Sequence, residues 1–485
     1  MRGKSTFDFA KSGLQCGMRG KGTFDFGMKA QYFRVSIASR VIFFLHINRP
    51  DGRSYWFIIF LLKGTPKIEE MGSGNTEVTQ MKLLLRNRGA MLLLMLNIFL
   101  AFTGIGLVVP IMPTYMNELG IGGSIVGLLV AAFSLTQLIL SPFAGGVSDR
   151  MGRKKIIVGG LVVFALSELL FGLAESSWLL FASRMLGGAG AAMIMPAVMA
   201  YVADTTSMEE RAKGMGLINA AITTGFIIGP GLGGYLAELG IRVPFFAAAG
   251  AAAFVAVMTL IVLPESRLTA QLGTVKPMQE NKDRLISQLV RSYREPYFFG
   301  LLIVFVLSFG LANYETVFGL FVDHKFGFTP KDIAFVITFG SISGAVIQVT
   351  AFSWILNRFG ENKVISASLL ISGLSIFLTL FVHGYWAIVT VTFIVFLAMD
   401  ILRPAVGTQL SKMAVESQQG FVMGMNSAYT SLGNIAGPIV AGVLFDLDIN
   451  FPYAVAALVL VLCFLLSLGS GKRMSRPDLQ ANHSD

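Results

Sequence analysis

Twelve apolar runs recur along this chain from Met91 onward, each about long enough to cross the roughly 30 Å hydrocarbon core of a bilayer as a helix. They lie at 91–116, 124–147, 156–174, 178–203, 213–237 and 243–263. After a polar stretch, six more follow at 297–322, 332–356, 363–382, 385–411, 421–445 and 451–468. Lipid offers no water to unpaired backbone groups, so spans of this length must satisfy their own hydrogen bonds as helices. The predicted fold is therefore an all-α membrane protein of twelve transmembrane helices in two six-helix halves. Only 14% of the residues are charged, against about 25% in soluble chains, which leaves too little solvated surface for a water-soluble protein of this length. The predicted organisation is an N-terminal extension over 1–80, a first half over 81–263, a linker over 264–296, a second half over 297–470 and a tail over 471–485.

Lys and Arg in short loops set the orientation of such a bundle. Arg150, Arg153, Lys154 and Lys155 follow span two, Arg211 and Lys213 follow span four, and Arg358 and Lys363 follow span eight. The linker carries Arg267, Lys276, Lys282, Arg284, Arg291 and Arg294, and the tail carries Lys472, Arg473 and Arg476. The alternate loops hold Glu118, Glu175, Asp446 and Asp448 instead. Both termini are expected on the cytoplasmic side of the cell membrane.

The halves echo each other. Gly145-Gly-Val-Ser-Asp149-Arg150-Met-Gly152-Arg-Lys-Lys155 follows span two, and Ser353-Trp-Ile-Leu-Asn357-Arg358-Phe-Gly360-Glu-Asn-Lys363 follows span eight at identical spacing. A second match joins Gly225-Phe-Ile-Ile-Gly229-Pro230-Gly-Leu-Gly233-Gly234 in span five to Gly433-Asn-Ile-Ala-Gly437-Pro438-Ile-Val-Ala-Gly442 in span eleven. Parallel repeats of this kind bury a substrate site between them near the mid-membrane level. Residues 1–80 stand outside the scheme: Met1-Arg-Gly-Lys-Ser-Thr-Phe-Asp-Phe-Ala returns almost unchanged at Met18, and the apolar run from Tyr55 to Leu62 is too short to span. The extension is read as disordered, or as lying ahead of a true start at Met71 or Met81.

Several classes are excluded. Cys16 and Cys463 are too few and too far apart for a disulfide framework, and His46, His324, His383 and His483 make no metal-ligand cluster with them. No phosphate-loop or His-Glu-x-x-His motif occurs. The reading is of a chain with no catalytic residues, no metal and no cofactor, whose work must draw on an ion gradient. Net charge is +10, but no basic face of a soluble domain is visible, so no nucleic-acid partner is expected.

An ionisable residue inside a span costs roughly 2.5–3.5 kcal/mol on insertion scales and marks function by default. Glu168, Arg184, Glu315, Asp400 and Arg403 are such residues. Low dielectric penalises a charged carboxyl, so the proton occupancy of Glu315, well inside span seven, should follow its access to water; a protonated Glu bonded between helices is the structural alternative. Asp400 and Arg403 are three apart and share a helix face, with Pro404 inviting a kink just after them. They read either as a static ion pair or as a switch in which protonating Asp400 frees Arg403. Arg184 is always charged and needs a partner in the bundle. Glu168 is expected toward the outer end of span three, satisfied by water or by snorkelling. Gly225, Gly229, Gly233 and Gly234 form a small-residue stripe for close helix packing, bent at Pro230. Asp149 is expected to meet the N-terminal end of span eleven, near Phe421, when the cytoplasmic side is closed.

These residues resemble the major facilitator superfamily. The loop from Gly145 to Lys155 is similar to its signature loop, with Asp149, Arg150, Gly152 and Arg153 at the motif positions. Leu180-x-x-x-Arg184-x-x-Gly-Gly188-x-Gly190-Ala-Ala192 resembles the span-four motif, with Gly187 where the usual pattern has Gln. The stretch from Gly225 to Gly234 matches the span-five motif of drug:proton antiporters, and Leu107-Val-Val-Pro110-Ile-Met-Pro113 closes span one as in the twelve-span efflux branch. Asn313-Tyr-Glu315-Thr and Asp400-Ile-Leu-Arg403-Pro404 look like second-half signatures of the NorA/Bmr multidrug pumps. The resemblance implies a monomeric proton-coupled antiporter in the lipid bilayer, expelling amphipathic, often cationic drugs such as fluoroquinolones, dyes and quaternary ammonium compounds. It also implies proton coupling by Glu315, Asp400, Arg403 and Arg184, and a role for the span-five glycines in closing the inward face against proton leak. Candidate substrate liners are Gln137, Asn219, Phe226, Phe305 and Phe309. The competing reading is a proton-coupled metabolite or sugar transporter of the same fold.

Overall fold

A computed structural model describes residues 15–23, 29–37, 40–48, 54–61, 75–266, 292–293, 295, 297–413 and 419–470, with side chains from residue 89 onward except 208–209, 212, 419–420 and 469–470. Met71, the basic residues of the linker and those of the tail lie outside the described residues. The chain separates into two units, Met1–Gln80 and Met81–Asp485.

In the first unit, β1 (Gln15–Thr23), β2 (Lys29–Ile37), β3 (Arg40–Asn48) and β4 (Ser54–Leu61) form an antiparallel sheet in sequence order. Phe33 pairs with Phe44, and Phe44 with Ile58. The disorder expected of the extension does not hold for these four segments. Their runs of Val, Ile, Phe and Tyr are the residues that suit a pleated surface, and each strand pairs with the next through a short connection.

The described residues of the second unit are helical apart from short connections, its first helix beginning six residues earlier at Asn75. Its elements are α1 (Asn75–Leu119), α2 (Gly123–Met151), α3 (Arg153–Gly172), α4 (Ser177–Thr205), α5 (Met208–Ala237), α6 (Val243–Val262), α7 (Phe298–Phe326), α8 (Pro330–Thr350), α9 (Phe352–Phe359), α10 (Glu361–Leu378), α11 (Tyr385–Met413), α12 (Gln419–Leu447) and α13 (Phe451–Ser470). Among the described residues, twelve are long and apolar enough to cross a membrane; α9 is the short remainder. Capping boxes start two of them, Ser207 with Glu210 at α5 and Thr329 with Asp332 at α8, each satisfying orphan N–H groups at both partners.

Span one, read to 116, continues as α1 through Pro110 and Pro113 to Leu119. In lipid a helix tolerates proline when neighbouring helices re-satisfy or cover the freed groups, and Pro113 packs against Gly319 of α7. Span eight, read as one run to 356, breaks at Ala351 into α8 and α9.

The repeat runs at a constant offset of 208 residues. Gly152 (φ +101°) and Gly360 (φ +80°) occupy equivalent turns in a conformation that favours glycine. In α5, a Cβ on Gly225 or Gly229 would meet the carbonyl oxygens of Phe99 or Thr103 in α1 at 2.7 Å, and Gly233 likewise abuts the Leu107 carbonyl. In α12, Gly433 and Gly437 abut the Phe305 and Phe309 carbonyls of α7, at 2.9 and 2.6 Å. Both halves thus bury the same glycine stripe on the same neighbour, where only a hydrogen in place of a side chain permits the approach. At the loop end, Arg153 pairs with Asp204 at 3.2 Å. The equivalent positions, Glu361 and Lys412, form an ion pair with the charges exchanged.

Candidate functional site

The bundle has one end with the basic loops after α2, α4 and α9, and an opposite end with Glu118, Glu175, Asp446 and Asp448. At the acidic end the halves are drawn together along two equivalent seams. Gly442 of α12 lies against the Gly123 carbonyl of α2, and Gly234 of α5 against the Pro330 carbonyl of α8. The residue four further along each helix is an acid that reaches across. Asp446 accepts from the Gly123 N–H at 2.7 Å and the Ser124 N–H at 2.8 Å, capping the start of α2 from the other half. Glu238 accepts from Lys331 Nζ at 2.9 Å. Between the seams, Asn117 Nδ2 donates to Asp323 Oδ2 at 3.0 Å.

Below this closed layer stand the acids of the second half. Gly319 of α7 packs on Pro113 and the Val109 carbonyl of α1, so that face of α7 is turned to the first half. Glu315 lies one turn away on the same face, exposed there while Asn313, Tyr314, Val317 and Phe318 around it are buried. It is about 16 Å from the acidic end of α7 at 1.5 Å per residue. Arg403 and Asp400 of α11 are the charged groups that act on it. Asp400 is half-buried and lies over Gly344 of α8, where any Cβ would collide with its carboxylate. Arg403 is exposed. Asp400 and Arg403 form no ion pair at contact distance in this conformer, so the static pairing is not what the structure displays. Glu315, Asp400 and Arg403 therefore share one electrostatic cluster at the face between the halves.

Arg184 is elsewhere. It is 6% exposed in α4, inside the first half, with its guanidinium carbon 4.0 Å above the Phe171 ring of α3. Glu168 does not reach water at the outer end of span three; it is 1% exposed and is the charged group that acts most on Arg184. The correction has a simple cause. α3 and α4 form an antiparallel hairpin whose turn falls between Gly172 and Ser177, which brings Glu168 level with the early part of α4.

Asp149 is 60% exposed and pairs with Arg153. Arg153 also donates to Ser148 Oγ at 3.2 Å, while Lys154 N–H donates to Glu265 Oε1 at 3.1 Å. A Cβ on Gly152 would strike the Glu265 carboxylate at 2.8 Å. Arg150 is exposed. As expected of a small-residue stripe, Gly225, Gly229 and Gly233 fasten α5 closely to α1 within one half, Pro230 packs on Gly106, and the cross-half contact of Gly234 is at the acidic end. Of the candidate liners, Phe226 is 44% exposed with its ring 4.9 Å from Phe102. Phe305 stacks on Phe309 at 6.1 Å, but Phe309 is only 8% exposed and its backbone abuts the glycines of α12. Asn219 is exposed and Gln137 half-buried. Gly344, Phe171 and Glu238 are site or seam residues that spacing along the chain did not single out, and Asp446 was read only as a loop acid.

Comparison with known proteins agrees with this arrangement. The sequence pattern of the Major Facilitator Superfamily matches residues 94–322 and 300–482. Multidrug resistance protein 2 of Bacillus subtilis is 50% identical over 370 residues, 76% of this chain and 92% of that protein. Multidrug resistance protein 1 of the same organism is 48% identical over 78% of this chain and 95% of its own length. The quinolone resistance protein NorA of Staphylococcus aureus is 41% identical over 74% and 91%. Among solved structures, an inward-facing, occupied bacterial homologue of the human lysosomal transporter Spinster superposes with a TM-score of 0.65 at 14% identity, covering 79% of this chain and 96% of that one. The human organic anion transporter MFSD10 gives 0.57 at 20%, over 79% and 99%. At such identities the two structures speak for the fold alone. The twelve-helix bundle, its duplicated glycine seams and these relatives together make the chain a multi-pass membrane protein and no enzyme, a member of the major facilitator superfamily that belongs with its NorA/Bmr-type multidrug efflux transporters.

Proposed function

We propose that the protein is a proton-coupled antiporter that exports amphipathic, often cationic drugs across the cell membrane, with both termini in the cytoplasm. The observation that carries the reading is the cluster of Glu315, Asp400 and Arg403 on the face of the second half turned to the first, directly under the closed acidic end. With the basic loops inside, the closed end is the outer one and the conformer is open to the cytoplasm. In that state Glu315 is reached from the cytoplasm and can release a proton there as a cationic substrate enters. Opening the opposite end would let the acid reload outside as the substrate leaves. Asp400, Arg403 and Arg184 tune that exchange. Exposed aromatic surface such as Phe226 offers apolar and cation–π contact to a flat cation. Gln137, Asn219 and Phe305 are the further liners, with a smaller part for Phe309. A membrane potential of about 150 mV is worth roughly 3.5 kcal/mol per charge, or a few hundred-fold in concentration.

The test is ethidium efflux from energised cells with and without an uncoupler, beside Glu315→Gln and Asp400→Asn at equal amounts of protein. Uncoupler-sensitive efflux in the parent, lost by at least about a hundredfold in one carboxyl variant (about 2.7 kcal/mol of lost coupling), is the expected result. No ethidium movement above the empty-vector control would favour a metabolite transporter of the same fold. Efflux indifferent to the uncoupler would remove the proton from the reading.

A further inference from the structure

We propose that Glu168 is a positioning residue for Arg184: together with Phe171 it holds the guanidinium inside the first half, and the two charges work as one unit in transport. The inference rests on the antiporter reading above and adds a residue to it.

Helices α3 and α4 are locked at this level. Ser167 Oγ donates to the Ser183 carbonyl and Ser183 Oγ to the Ser167 carbonyl, each at 2.9 Å. Two turns toward the basic end, a Cβ on Gly190 would meet the Gly160 carbonyl at 2.9 Å, so the helices run in close backbone contact there. Glu168 and Phe171, three residues apart, share the face that α3 presents to Arg184. The Phe171 ring is itself held: it stacks on Tyr115 at 5.5 Å and lies 4.6 Å from the Phe245 ring. Tyr115 Oη also donates to the Phe171 and Ala174 carbonyls at 2.8 and 2.9 Å. The guanidinium thus has a fixed aromatic floor and one carboxyl beside it. The charged group that acts on Glu168 is Arg184; the titratable groups that act on Arg184 are Glu168 and the Tyr115 phenol, with Glu118, Glu175 and Arg242 acting on Tyr115.

The pair is not a closed strut. No ion pair at contact distance joins the two, and Glu168 Oε2, Arg184 Nε and Arg184 Nη2 lack hydrogen-bond partners. A structural Arg–carboxylate pair closes to a two-pronged contact, and a lone charge at this depth is tolerated only with a counter-charge in reach. The repeat supplies a control within the molecule. At the positions 208 residues on, the second half has Ile376 and Thr392, both buried on the same helix pair. The scaffold packs without the two charges, so their presence in the first half answers to something other than packing.

The experiment is a double-mutant cycle on the full chain, read as the initial rate of uncoupler-sensitive ethidium efflux per amount of protein in the membrane. Glu168→Gln and Arg184→Gln are each expected to lower the maximal rate at least tenfold with little change in the half-saturating ethidium concentration. The double variant should be no slower than either single one, and Glu168→Asp should recover at least a third of the parent rate. Losses that multiply in the double variant, or an unchanged rate in Glu168→Gln, would overturn the proposal. Should a single-charge variant fail to insert, the inserted double variant and Glu168→Asp decide: no recovery by Asp overturns it. A parent chain without uncoupler-sensitive efflux would instead sink the antiporter reading, which keeps the two failures apart.

Discussion

The two halves of this transporter carry nearly the same packing and quite different charges. Glycines that seat α5 on α1 return in α12 on α7, and the loop-end ion pair returns with its signs reversed. The ionisable groups inside the spans do not return. Where the second half has Glu315 and Asp400, the first has Leu107 and Ala192, both buried and apolar. Packing is duplicated because each half must solve the same problem, bringing helices close in a solvent that gives no hydrophobic drive between them. Charge is costly there and is kept where a task needs it. The lesson is that matched residues describe the scaffold and mismatched ones the work.

The same comparison applies to the two seams at the acidic end, and three substitutions would break or sharpen it. The largest effect is expected from Gly442→Val, because the obstacle is the Gly123 backbone, which cannot turn aside. Overpacking of this kind costs about 3 kcal/mol, so the closed population should fall about a hundredfold, read as a longer distance between spin labels at that end. Next is Asp446→Ala, which removes two N–H acceptors at the start of α2. A lost cap is worth about 1–2 kcal/mol, a shift of roughly tenfold toward opening; no shift would reduce the carboxylate to a bystander. The smallest is Glu238→Gln. Both partners of the Glu238–Lys331 pair are about half exposed, so the shift should stay under about 1 kcal/mol and vanish in high salt. An effect of Glu238→Gln equal to that of Asp446→Ala would mean the seams are symmetric in energy as well as in place.

Much of this was legible along the chain. The twelve spans follow from the length of the apolar runs, and their six-and-six arrangement from two matched motifs at fixed spacing. Glu315 and Asp400 stood out because an ionisable residue inside an apolar run is costly unless something pairs with it or uses it. Glu168 stood out for the same reason but was misplaced, since its burial depends on how the α3–α4 hairpin turns. Its distance from that turn is close to that of Arg184, a signal that pairing two helices level by level could have used. Asp446 and Gly344 gave no such signal: one sits in a loop-like acidic stretch, the other among many glycines.

What the sequence determined by itself is local and periodic: which segments cross the membrane, where the halves repeat, and which side chains hydrocarbon would not accept alone. Contacts between segments far apart in the chain were decided only in the folded bundle. Gly234 and Gly442 are twins in the repeat, yet one seam is held by a Lys–Glu pair and the other by a capped helix start. Asp400 is accommodated because α8 happens to bring a glycine to it. Hydropathy acts on each segment separately, so it can be read in one dimension. Close approach, capping and charge pairing act between segments, and their strength depends on distances that exist only once the helices have packed.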